Sequence, residues 1–276
     1  MVRKHGVWMA HRGRRFLLPA LVAGLSATLV PRVAAQAPER LSDREVKALI
    51  EQVYDARDKF EGNLDDSVKE SVMKTQTTDA KVLAVLQDLQ DNASKLKDRF
   101  KPDYAAGAEA ETLLKQANMI NAAMERANVT KGRSQWDKLA ATLRRLAAVY
   151  GTTFPLPEGA PVRRINDKET AAAAEAVANA AKDIQKQIDK DETIAKPDKE
   201  AGKSTSKALS SAANALESRV KDGKLATGEA RQVLDLAAKL DAFTRAHATA
   251  AAPATSLRQA AGKLQQSFMM PPRPAT

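Results

Sequence analysis

Cysteine is absent from this chain, which at once excludes disulfides, thiolate metal sites, thioether-attached haem and a lipid-modified N-terminal cysteine. Histidine is nearly as scarce. His5 and His11 lie close to the N-terminus, so only His247 is left for chemistry in the rest of the chain. Aromatic residues make up 4% of the sequence, and Trp136 is the only tryptophan after Trp8, too few for the stacking platforms of single-stranded nucleic-acid binders. There is no Gly-rich phosphate loop, no G-x-G-x-x-G and no G-x-S-x-G elbow.

These gaps remove most enzyme classes. A Ser-His-Asp triad must be built around His247, and a di-iron bundle needs two Glu-x-x-His pairs that a single histidine cannot supply. His247 reads instead as a helix-end residue facing free carbonyls. Met73, Met119 and Met124 fall on helical stripes, and they would serve as haem ligands only if His247 reached across to them. Asn63, Asp65 and Asp66 offer oxygen ligands but lack the twelve-residue spacing of a calcium loop. A glycan-cleaving helical enzyme would place Gly-rich and aromatic segments after a catalytic glutamate such as Glu70, and none follows. The expectation is a non-enzyme with no catalytic, cofactor-binding or metal residues assigned and no cofactor.

What is present begins with residues 1–35. A basic stretch "MVRKHGVWMAHRGRR" precedes the apolar run "FLLPALVAGLSATLV" and the small-residue end "PRVAAQ", the order of a bacterial export signal with cleavage expected after Ala35. The apolar run is shorter than the roughly 20 residues of a membrane span, and no integral span is expected after cleavage. Arg14 and Arg15 also fit a twin-arginine signal loosely, although an ordinary basic leader explains them. The full chain carries +10, but six of its 44 basic residues and none of its 34 acids lie in this segment, leaving +4 afterwards. Those remaining charges alternate in sign along the helices, so no basic face for nucleic acid is expected. An exported location, periplasmic or secreted, is expected.

Helical periodicity dominates the remainder. Val46, Leu49, Val53, Ala56 and Phe60 form one stripe; Val82, Leu86, Leu89, Ala93, Leu96 and Phe100 form a second. Leu113, Ala117, Ile120, Met124 and Ala127 make a third, and Trp136, Leu139, Leu143, Leu146 and Tyr150 a fourth. Ser42 with Glu45, Ser134 with Asp137 and Asn166 with Glu169 read as N-caps. The segment "YGTTFPLPEGAPVRRIND" then interrupts the pattern with Pro155, Pro157 and Pro161.

Beyond this seam the pattern recurs. A shift of 120 sets Ala93 on Ala213, Leu96 on Leu216, Arg99 on Arg219, Glu109 on Glu229 and Ile120 on Leu240. A shift of 121 sets Trp136 on Leu257 and Leu143 on Leu264, and one of 124 pairs "ARDKFEGNLDD" with "AAKDIQKQIDKD". The reading is an all-α protein of two tandem antiparallel four-helix-like bundles related by internal duplication. Its expected divisions are a signal peptide at 1–35, bundle 1 at 42–151, a Pro-rich linker at 152–166, bundle 2 at 167–268 and a disordered tail at 269–276. Because Gly202 and Ser206 fall on Val82 and Leu86, the second bundle is expected to be the weaker. Functionally, the sequence points to a structural or protein-interaction protein of the bacterial envelope with a protein partner. The alternatives are a carrier of a small apolar ligand or lipid, prompted by "ETAAAAEAVANAAKDI", and a cofactor-binding bundle.

Overall fold

The computed structural model describes residues 39–74, 79–126 and 130–271, and nearly all of them are helical or connect helices. The expected export segment, its expected cleavage point after Ala35 and residues 272–276 lie outside the described residues. Among those described, no helix is long and apolar enough to cross a membrane.

The first bundle is built from α1 (Asp43–Gly62), α3 (Val82–Arg99), α4 (Gly107–Arg126) and α5 (Arg133–Val149). Between α1 and α3 the chain makes one short helical turn, α2 (Asp66–Lys69), and a hairpin of β1 (Val72–Lys74) with β2 (Asp79–Lys81), neither of which the periodicity anticipates. Helix α1 starts where Ser42 accepts from the Glu45 N–H and Glu45 reaches back to Ser42, a complete capping box. Helix α5 departs from expectation: Ser134 lies inside it, and the cap is Gly132 in the left-handed conformation at φ 82°. A Cβ there would also press on Leu64, 3.0 Å away.

Helix α1 packs on α3 and α5, and α4 on α3 and α5, closing a ring around one hydrophobic cluster. Trp136 fills its centre, with its ring 5.2 Å from Phe60 and 6.5 Å from Phe154, while its Nε1–H donates to Asn121. The seam belongs to this cluster. Phe154, Leu156 and Val162 are buried in it, and the Asn118 side chain bonds both the N–H and the C=O of Leu156. Gly107 lets Val162 pass, since a Cβ would stand 2.8 Å from the Val162 carbonyl oxygen. The prolines therefore lie on a packed strap.

A second, separate cluster is enclosed by α6 (Asp167–Lys190), α7 (Lys196–Lys221), α8 (Thr227–Ala246) and α9 (Ala251–Ser267). Helix α6 packs on α7 and α9, and α8 on both. Many of its core side chains are small: Ala171, Ala173, Ala174, Ala178, Ala180 and Ala181 are buried on α6, and Gly202, Ser206 and Ala213 on α7. Alanine-rich faces leave a void unless backbones approach, and here α7 comes in close. A Cβ on Gly202 would lie 2.5 Å from the Phe243 ring and 3.0 Å from Ile188, so Phe243 of α8 occupies the space that glycine vacates. Ser206, fully buried, donates its hydroxyl to the Gly202 carbonyl.

Candidate functional site

The two bundles meet through the N-termini of α1 and α6. Asp43 and Asp167 open these helices, and each carboxylate accepts the backbone N–H of the other, at 2.8 Å for Asp43 N–H to Asp167 and 2.9 Å for the reverse. Each thus places negative charge at the positive end of its neighbour's helix. An arginine three residues upstream then crosses over. Arg40 donates to Asp167 at 2.5 Å and to the Ile165 carbonyl at 3.0 Å, and Arg164 donates to Asp43 and the Leu41 carbonyl, both at 2.8 Å. The contacts are reciprocal, donor for donor.

The clasp is dry on its cationic side, with the Arg40 and Arg164 side chains only 5% and 3% exposed. Burial, together with the neighbouring Arg164 charge, lowers the Arg40 pKa, and the Asp167 carboxylate opposes that shift. Arg40 also lies over the Phe268 ring at the end of α9, 5.7 Å from its centre. Thr170 takes a further Arg40 hydrogen bond at 3.1 Å. Each arginine nonetheless keeps a buried Nε–H without an acceptor. Tyr150, at the end of α5, donates to the Ala105 carbonyl at 2.8 Å, and burial holds its phenol pKa well above the usual range.

Sequence reasoning found Ser42 and Asn166 as caps but passed over the arginines and aspartates beside them. The signal is present as "RLSDRE" at 40–45 and "RINDKE" at 164–169, offset by the same 124 positions already noted further along. Arg40 lies between the expected leader and bundle 1, and Arg164 in the expected Pro-rich linker.

An open-sided groove of about 850 Å³ runs from the clasp along α6 and α9. Its clasp end is formed by Val149, Arg163 and Arg164, and its floor by Ala172, Ala173, Ala176 and Ala260. The residues weighed from sequence lie elsewhere. His247 follows the end of α8, its imidazole packed on Phe243 with ring centres 4.4 Å apart rather than bonded to carbonyls. Met119 and Met124 pack in the first cluster and Phe243 in the second, so the fold does not gather those methionines around the histidine. The Met73 side chain lies outside the described residues. Asn63 donates to the Lys59 carbonyl, Asp65 pairs with Lys131, Asp66 with Lys69 and Glu70 with Lys81. Among the described residues no three His, Asp or Glu side chains converge as a metal-binding group. No protein-family model, curated protein or solved structure matches this chain.

Proposed function

We propose that this is an exported, non-enzymatic helical-bundle protein of the bacterial cell envelope, with a structural or protein-interaction role. The observation that carries the reading is the clasp. Its four buried or half-buried charged groups are spent on one another, fixing the orientation of two bundles that have separate cores. A rigid pair of bundles with mixed-charge outer faces suits a scaffold for a protein partner. The leader at 1–35 supports export to the periplasm or beyond.

We further infer that the bundles arose by internal duplication. Arg99 pairs with Glu109 at 3.1 Å and Arg219 with Glu229 at 2.9 Å, the same ion pair across corresponding helix connections. Helix neighbours follow the same order in both halves, and the reciprocal clasp is what two copies of one surface form when they meet about a twofold axis.

The groove favours a second reading, a carrier of a small apolar ligand or lipid. Native mass spectrometry of residues 36–276 recovered from an exporting host, compared with the denatured mass, separates the two. Equal masses, with a polypeptide crosslinked to the chain in the envelope, support the scaffold; a stoichiometric added mass supports the carrier. Recovery of the chain only in the cytoplasm with residues 1–35 attached overturns both.

A further inference from the structure

The groove between α6 and α9 is polarised along its length. Arg163 and Arg164 stand at the clasp end, and Lys263 lies one turn from the end of α9 at the same side. Away from the clasp the lining is Ala172, Ala173, Ala176 and Ala260, with Ser256 and Gln259 at the rim. Arg164 is neutralised by Asp43, but Arg163 and Lys263 are exposed and neither has a carboxylate partner among the described residues. Glu169 is the one acid on the lining, so an excess of one positive charge remains at this mouth.

The small side chains of the floor set it apart from the first bundle. Under the proposed duplication Ala173 corresponds to Leu49 and Ala260 to Leu139, both fully or almost fully buried leucines that fill the first bundle. Truncating a leucine to alanine on facing helices leaves space that only backbone approach can close. Gly202 and its neighbours draw α7 inward, and α9 packs on α6 with Ala173 and Ala260 buried, so the groove is a surface channel along the outer side of that contact, where Ala172 and Ala176 are exposed. The volume, about 850 Å³, lies within the roughly 300–1,000 Å³ of small-molecule sites.

We infer that this groove takes a single-chain amphiphile with a carboxylate head. The apolar chain lies on Ala172, Ala173, Ala176 and Ala260, and the head is held by Arg163 and Lys263, whose long side chains reach an anion without burying an unpaired charge. This inference rests on the carrier reading and adds the ligand class and its orientation.

The test is titration of the purified exported chain with palmitate, and with the uncharged alcohol and the cationic amine of the same chain length. Saturable one-to-one binding of palmitate is expected, with the alcohol roughly tenfold weaker and the amine weaker still. Ala176→Trp fills the groove from an exposed position and abolishes binding. The double variant R163E/K263E, also at exposed positions, weakens palmitate at least tenfold and narrows the preference over the amine. Thermal melts matching the parent chain establish that both variants are folded. Failure of palmitate to saturate the parent chain, or binding unchanged by Ala176→Trp, overturns the inference. If native spectra still show another bound molecule in Ala176→Trp, the carrier reading stands and only this site and ligand class are lost.

Discussion

Two residue pairs, Arg40 with Asp167 and Arg164 with Asp43, hold together bundles whose apolar cores do not merge. Removing one partner of a buried pair strands the other's charge, at a cost of about 3–5 kcal/mol when fully buried. The aspartates here are 19% and 15% exposed, so Asp167→Asn and Asp43→Asn are each expected to cost about 2 kcal/mol in denaturant unfolding. A double-mutant cycle of Arg164→Met with Asp43→Asn should return a coupling of at least about 1 kcal/mol. Additive effects would mean that the pair does not link the bundles. Tyr150 sets an alkaline limit. Up to about pH 10, the ordinary phenol value, folded and unfolded chains hold the same proton; above it the unfolded chain releases a proton that buried Tyr150 retains. Stability therefore falls as pH rises, and Tyr150→Phe should flatten that fall between pH 10 and 12 while losing about 1 kcal/mol at neutral pH with its bond to Ala105. Identical pH slopes in denaturation series of parent and variant would contradict the burial argument.

At the level of elements, the second bundle exchanges side-chain bulk for close approach, and its glycines separate the two effects. Gly202→Ala places a Cβ against Phe243 and should destabilise by about 1–2 kcal/mol despite alanine's better helix propensity. Gly262→Ala, in α9 with nothing within 4 Å of its added Cβ, should instead stabilise by about 0.5–1 kcal/mol. In a Phe243→Ala background the Gly202 substitution should change sign, because the ring it displaces is gone. A Gly202→Ala that destabilises equally in both backgrounds would show that the ring is not the obstacle. The same element contrast explains what periodicity overlooked in the first bundle. Residues 66–81 contain no apolar repeat long enough to announce a helix, and the β1–β2 hairpin leaves Val72 65% exposed.

Across the whole molecule, stability is expected to be uneven. Under the proposed duplication, Leu49, Ile50, Val82, Leu86, Trp136 and Leu146 of the first bundle correspond to Ala173, Ala174, Gly202, Ser206, Leu257 and Ser267 of the second. Each large side chain lost from a core removes about 1.5–3 kcal/mol of burial, which only partly returns through closer helix contact. Amide hydrogen exchange should therefore open α6–α9 at lower free energy than α1 and α3–α5, with the strap residues Phe154 and Leu156 protected together with the first bundle. Uniform protection across both halves would refute this.

The sequence by itself determined the helical class, because stripes such as Val82 to Phe100 bury on one face whatever they pack against. It also marked the capped starts of α1 and α6, since Ser42 and Asn166 bond within their own first turns. Local signals reach no further than that. The clasp joins residues more than 120 positions apart, and neither arginine is distinctive until the opposing aspartate is beside it. Phe243 over Gly202, the strap packed on Trp136, and the groove running from the clasp along α6 and α9 were decided only by tertiary structure, because each depends on which residues distant in sequence are brought side by side.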